Sequence, residues 1–440
     1  IVGKYGERNE VFIQREDNEY KEYEEDEDHK EKSSLNSLNS LHSSYSFESI
    51  GARFNNGFLG SDARYTTTIE TFDADGDGYR DVLIGNDGQP NELYRNLGNG
   101  QFELLPEDFT PDDMPEGIGR HTAGFLIANL TGDVHDDVLV LNTLQSPNEL
   151  YEGRGDGTFY FVGEYFNGGL ASAPRSSVAA ITLDSDGDDD FDHIVIGNDL
   201  KEPNELYELN AAGEIRYLGD TFNGGIAGTE DRSTVALAAL DLDADGDEDL
   251  IMGNSDGSNE LYENHGKGIF TFVGEHFNDH RDENDRTKDF VLFDADADGD
   301  EYLLVLSEHE APGSPMSSRV ALYRNEGVGG FTWVGDALSD SSLSLLFPTD
   351  LDSDGKRELV LGYQNDTRCC AIVEPSRRGE DDVMTVELTR SILTPSAKFT
   401  TEIRHVLTGD RYPLASDINF GLTTETAQIE GVVFEDENGN

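Results

Sequence analysis

Apolar positions along this chain come in short runs broken by Gly, Asn, Asp and Pro. Val82–Gly85, Val138–Leu141, Ile194–Gly197 and Leu250–Gly253 are continuous apolar stretches. Thr234–Leu240 (TVALAAL) has the mixed small and branched character of a half-buried strand. Each continuous run is followed by a turn cluster and then by the motif NELY or a near copy. Alternation, β-branched residues and turn residues at this spacing predict strands rather than helices. The predicted unit has four: an inner strand like TVALAAL, an acidic loop, then DLIMG, NELYEN and FTFVGE.

The unit repeats. FDADGDGYRDVLIGNDGQPNELYRNLGNGQF runs from Phe72, LDSDGDDDFDHIVIGNDLKEPNELYEL from Leu183 and LDLDADGDEDLIMGNSDGSNELYENHGKGIF from Leu240. Looser copies begin at Asn129, Phe293 and Thr349. The acidic loops start at residues 73, 129, 184, 241, 294 and 350, a step of about 55 residues. A second register supports the alignment: FNNG at Phe54 and FNGG at Phe166 and Phe222 lead into Arg64, Arg120, Arg175, Arg232 and Arg286. These arginines are expected to link neighbouring units. IVGKYGERNEVFIQR at the chain start matches VLIGNDGQPNELYRN, so Ile1 falls inside a unit without its acidic loop. Counting degenerate copies at Arg319–Tyr323 and Cys369–Ile372 gives seven hairpins. Residues 18–46 interrupt the first unit, running from EYEEDED to SSLNSLNSLHSS, and read as a low-complexity insertion.

A four-strand unit cannot bury both of its faces alone, whereas units packed radially can, and closure removes free edges. The expected fold is all-β: a seven-bladed β-propeller with calcium-binding loops over residues 1–375. A small C-terminal β domain, or ring-closing strands, follows over residues 376–440.

Charge sharpens this picture. There are 31 basic and 91 acidic residues in 440, a net of -60. Such a surface repels nucleic acid and anionic lipid and attracts cations. No apolar run approaches the roughly 18 residues of a membrane span, so membrane insertion is not expected. Many of the acids obey D-x-D-x-D-x-x-x-D. Carboxylates at alternate positions of a tight loop converge, and calcium takes six to eight hard oxygens in flexible geometry. Side chains at positions one, three, five and nine, a backbone carbonyl near position seven and water would supply them. The strand flanks and the missing bidentate Glu at position twelve exclude an EF-hand.

The candidate ligands are Asp73, Asp75, Asp77, Tyr79 (carbonyl) and Asp81; and Asp241, Asp243, Asp245, Asp247 and Asp249. A third set is Asp184, Asp186, Asp188, Asp190 and Asp192, with Asp190 or Asp192 closing it. A fourth is Asp350, Asp352, Asp354, Lys356 (carbonyl) and Glu358. Asp294, Asp296, Asp298 and Asp300 have Tyr302 in the last place, and Asn129, Thr131, Asp133 and Asp137 carry only two formal charges. Five or six calcium ions are expected, with the Asn129 set the weakest. Asn365 and Asn129 sit in glycosylation sequons. Cys369 and Cys370 are the two cysteines and are adjacent, which excludes a disulfide framework.

The DxDxDG loops and GN…NELY hairpins resemble the FG-GAP/VCBS repeats of integrin-like propellers. That resemblance implies seven blades with calcium between the first two strands of each. It also implies an opposite face that recognises partners, which here would hold the FNGG/Arg lead-ins and the PNE turns. The tail, through Ser416–Leu422 and Ile429–Phe434, resembles an ASPIC/UnbV-type domain, a pairing similar to the cartilage acidic protein family. GVVFEDENGN alternatively supplies an inner strand and loop for the incomplete first blade.

No HExxH, GxSxG or P-loop occurs, and the ten histidines are scattered. The expectation is an extracellular or cell-surface binding or structural protein rather than an enzyme. It would act in adhesion, matrix or a self-assembling homo-oligomer or filament, with an extracellular protein or glycan as partner. A lectin and a calcium-dependent hydrolase are the alternatives.

Overall fold

The computed structural model describes residues 5–7, 9–16, 45–54, 64–98, 102–105, 109, 120–166, 175–187, 191–210, 213–219, 222, 232–243, 245–275, 277, 285–293, 302–309, 317–325, 331–340, 343–349, 358–363, 370–374, 385–393 and 402–408. The predicted four-strand unit forms. β1 (Tyr5–Glu7), β2 (Asn9–Glu16) and β3 (Tyr45–Phe54) precede the repeats. The first blade is β4 (Arg64–Phe72), β5 (Asp81–Asn86), β6 (Glu92–Asn96) and β7 (Phe102–Leu104). The second is β8 (Thr122–Ala128), β9 (Asp137–Asn142), β10 (Asn148–Gly153) and β11 (Phe159–Tyr165). The third is β12 (Ser177–Leu183), β13 (His193–Asn198), β14 (Glu205–Leu209) and β15 (Ile215–Gly219). The fourth is β16 (Thr234–Leu240), β17 (Asp249–Asn254), β18 (Glu260–Asn264) and β19 (Phe270–Glu275). The fifth is β20 (Asp285–Phe293), β21 (Tyr302–His309), β22 (Ser317–Asn325) and β23 (Phe331–Asp340). A further sheet holds β24 (Leu343–Thr349), β25 (Glu358–Tyr363), β26 (Cys370–Glu374), β27 (Thr385–Leu393) and β28 (Glu402–Thr408).

The expectation of seven blades is corrected. Five repeat units make complete blades, and the next sheet has five strands because β27 and β28 continue it past β26. The chain start does not build a blade. Among the described residues β2 and β3 form a two-stranded sheet, and β1 pairs with the first blade's inner strand, Tyr5 opposite Tyr65. Residues 17–44, most of the expected insertion, and residues 409–440, with both tail motifs, lie outside the described residues.

The core sits between blades rather than within them. Phe72, Leu83 and Leu93 of the first blade pack with Val138, Val140 and Tyr151 of the second. Comparable clusters join second to third, third to fourth, fourth to fifth and fifth to the following sheet. This explains the second strands: β5, β9, β13 and β17 are buried at every position. Being covered on both faces, they read as continuous apolar runs, whereas inner strand β16 alternates buried and half-buried positions.

Polar side chains run through the same interfaces. In the first blade Asn86 N–H donates to Asn91 Oδ1 (2.9 Å), and Asn91 Nδ2 reaches across to Thr122 Oγ1 of the second blade (2.9 Å). Asn148 reaches Ser177 (2.8 Å) and Asn204 reaches Thr234 (2.7 Å) in the same way. At the next interface Thr287 donates to Asn259 (2.7 Å). The Asn of NELY is thus a buried inter-blade clamp. Most buried polar groups in folded proteins are hydrogen-bonded.

The lead-in residues have different roles from those expected. Arg120 pairs with Glu149, Arg175 with Glu205 (3.0 Å) and Arg232 with Glu260 (2.8 Å), each within its own blade. The Tyr two residues on donates to the same Glu, as Tyr262 does to Glu260 (2.9 Å). Inter-blade linkage falls instead to the Phe before each lead-in. Phe166 meets Tyr207 edge-on at 4.8 Å, Phe222 meets Tyr262 at 5.2 Å and Phe277 meets Tyr323 at 5.4 Å.

Candidate metal centre

Each acidic loop joins the inner strand to the fully buried second strand of its blade. The last acid is the first residue of that second strand and is therefore pulled under: Asp81, Asp137 and Asp249 are buried. In the first blade Asp81 Oδ2 accepts Ala74 N–H (3.0 Å) and Oδ1 accepts Asn96 N–H (2.7 Å). Asp73 accepts Asp77 N–H (3.1 Å) and Gly78 N–H (2.9 Å), while Asp77 caps Tyr79 N–H (2.8 Å). Gly76 turns the loop with φ +73°, a conformation that Gly reaches without the strain of a Cβ. The fourth blade repeats this network bond for bond through Leu242, Asp245, Gly246, Asp247 and Asn264.

The result is three converging carboxylate groups. Oxygens of Asp73, Asp75 and Asp81 lie within 4.8 Å of one another, as do those of Asp184, Asp186 and Asp192 and those of Asp241, Asp243 and Asp249. Positions one, three and nine meet as expected, and Asp192 stands in the closing place of the third loop. Two like charges 4 Å apart repel by about 1 kcal/mol in water and about 4 kcal/mol near a protein surface. At the closing acids burial dominates and the neighbouring carboxylates add to it. Asp249 is pushed up to about 6, first by burial and then by Asp243 and Asp245, against the pull of the Asn264 and Leu242 N–H groups. Asp81 is raised by burial, with Asp75 and Asp77 adding to it.

These groups offer only hard oxygens and carry net negative charge, a donor set that suits calcium better than zinc or copper. They also differ among themselves. Arg95, on β6, pairs with Asp75 (2.7 Å) and offsets part of the first loop's charge. Glu263 holds the matching position in NELYEN and instead raises Asp243 further, after burial and Asp245.

The loops are seated on the next blade. Ala74 C=O accepts Gly157 N–H (3.0 Å) from the turn between β10 and β11, and Ser185 C=O accepts Lys267 N–H (3.1 Å) from the turn between β18 and β19. Glu248 joins the third and fourth loops directly: its carboxylate accepts Asp184 N–H (2.9 Å) and its N–H donates to Asp184 C=O (3.1 Å).

Not every candidate joins such a group. Asp133 and Asp137 form no three-carboxylate cluster with Asn129 and Thr131 in the second loop. Asp188, Asp190, Asp294, Asp296, Asp298, Asp300, Asp350, Asp352, Asp354, Lys356, Asn365 and Cys369 lie outside the described residues, and Glu358 opens β25. Reading the loops alone missed Arg95, Glu248, Asn96 and Asn264. The two asparagines had left a signal, recurring in register in NELYRN and NELYEN.

Radially stacked four-strand sheets with their cores between them define a β-propeller. Residues 73–126, 129–195 and 241–305 match the FG-GAP-like repeat. The chain is similar in structure to an Agrocybe aegerita lectin described as recognising non-reducing terminal N-acetylglucosamine: 15% identity, TM-score 0.50, covering 83% of this chain and 86% of the lectin. The Nup133 β-propeller domain of Vanderwaltozyma polyspora is a further structural match at 12% identity and TM-score 0.39, covering 71% of this chain and 88% of that one. No curated protein sequence matches. Among the described residues no helix is long and apolar enough to cross a membrane.

Proposed function

We propose that this chain is a calcium-binding extracellular propeller that acts as an adhesion, matrix or assembly module rather than as an enzyme. The observation that carries this reading is the recurrence of one three-carboxylate group at the same loop in three blades, the first loop hydrogen-bonded to the second blade and the third and fourth loops to each other. A bound divalent cation supplies the positive charge these groups lack. Asp73, Asp75 and Asp81, and their counterparts, would hold it. The backbone bonds from Ala74 and Ser185 then pass the ordering of the loop to the neighbouring blade. The FG-GAP-like repeats support an extracellular setting, and the acidic surface supports cationic partners.

Ion content and molecular size test the reading together. Protein dialysed against micromolar calcium is expected to retain several ions per chain. Addition of a chelator should lower the melting temperature and dissociate any higher assembly. A protein empty of ions whose melt ignores the chelator would refute the calcium reading, and a monomer in both conditions would refute the assembly role.

A second reading is a glycan-binding propeller, which the similarity to the lectin favours. Calcium-dependent retention on an immobilised glycan array would support it, and an array with no retained glycan would end it.

A further inference from the structure

We infer that the second blade's loop is closed by its own side chains and takes no ion, with Asn129 and Thr131 deciding this. The inference rests on the reading that the three carboxylate loops hold divalent ions. At position one, Asp73 and Asp241 present carboxylates. Asn129 instead directs its amide nitrogen into the loop and donates to Asp133 C=O (2.9 Å), while its oxygen accepts Gly132 N–H (2.9 Å). An N–H group has no lone pair to offer a cation and carries positive charge toward the place one would occupy. The amide spans the loop as an ion would in its neighbours.

The closing acid points the same way. Asp81 and Asp249 each take one loop N–H on Oδ2, from Ala74 (3.0 Å) and Leu242 (2.9 Å). Asp137 Oδ2 takes two, from Leu130 and Thr131 (both 2.7 Å), and its Oδ1 takes Gly153 N–H (2.9 Å). Asp137 Oδ2 thus carries one N–H donor more than Oδ2 of Asp81 or Asp249, and has that much less capacity left for a cation. Position three brings no carboxylate, because it is Thr131. The loop remains ordered: it makes the same turn, and Gly213 of the third blade lies against the Thr131 carbonyl so closely that a Cβ there would clash. Among the described loops, hydrogen bonding replaces coordination in that of the second blade.

Elemental analysis of dialysed full-length protein tests the inference, with Asp75→Ala, Asp133→Ala and the double variant Asn129→Asp/Thr131→Asp beside the wild type. Asp75→Ala is expected to lose one calcium per chain and Asp133→Ala none. The double variant is expected to gain one and to show a larger fall in melting temperature on chelation. Loss of an ion in Asp133→Ala would overturn the inference while leaving the calcium reading standing. An Asp75→Ala protein with the same ion content as the wild type would instead count against the calcium reading itself. Should the double variant not fold, the two alanine variants decide the matter alone.

Discussion

At the scale of single residues, the fifth blade shows how register outranks residue type. Matching lead-ins by residue type selects Arg286, one position off the step kept by the others. The structure keeps the step and reverses the charge: Asp285 stands where the other blades have Arg, and Arg319 supplies the cation (2.6 Å), with His309 on the other carboxylate oxygen (2.6 Å). A type-based reading could not see this, because the swap changes both partners at once. Arg319→Ala should cost about 3–5 kcal/mol in chemical denaturation, the usual penalty for stranding a buried charge. The exchange Asp285→Arg with Arg319→Glu should recover most of it. Failure of the exchange to recover anything would mean that the site depends on His309 rather than on the pair.

Asp289 gives a pH dependence with a definite sign. Burial pushes its carboxyl up to about 7 against the hydrogen bonds from Phe290 and Leu346 N–H. The folded state then holds the proton more tightly than the unfolded state, so stability falls as pH rises from the ordinary carboxylate range, about 4, through 7. Asp289→Asn removes the charge. It should stabilise the protein at pH 8 by on the order of 1–3 kcal/mol, the cost of an ill-solvated buried group, and by nothing near pH 4. A stability difference that does not change with pH would contradict this.

At the scale of elements, the second strands and the NELY hairpins were legible because burial on both faces leaves a continuous apolar run that no surface segment imitates. Their partners across the interface were not legible. Nothing in NELY announces that its Asn crosses to Thr122, Ser177 or Thr234, since that contact spans about 30 residues and depends on blade stacking. Nor does FNGG reveal that its Phe is buried: Phe166 adopts φ +59°, which costs an L-residue roughly 1–2 kcal/mol and is offset by the inter-blade aromatic contact. Asn204→Ala should lower stability by about 1–3 kcal/mol, because Asn198 N–H loses its acceptor and Thr234 Oγ1, which still donates to Asn254, loses a donor. Surface substitutions in outer strand β15 should stay within about 0.5 kcal/mol. A comparable loss at both positions would show that the amide clamp contributes nothing particular.

At the scale of the whole molecule, the repeat period disclosed the propeller, but counting hairpins overstated the blades. A hairpin supplies two strands and a blade has four, and β2 and β3 stand as a two-stranded sheet although the chain start matches the motif. The loops divide in the same manner. Spacing located the acidic clusters, while the amide closure in the second loop and the Arg95 offset in the first depend on hydrogen bonds and ion pairs that spacing does not show. The fourth loop, flanked by Glu263 rather than an arginine, should therefore bind calcium more tightly than the first, and Arg95→Glu should narrow the difference in a calorimetric titration.

The most direct test of the central claim is scanning calorimetry of the intact chain across free calcium from chelated to millimolar. Ligand bound only to the folded state stabilises by RT ln(1 + [L]/Kd) at each site, about 2.7 kcal/mol at a hundredfold excess over Kd. The melting temperature is expected to climb steadily with calcium, and the climb should shrink when Asp75 and Asp243 are both replaced by alanine. A melting temperature that stays flat across the whole range would contradict the view that these blades are held by ions.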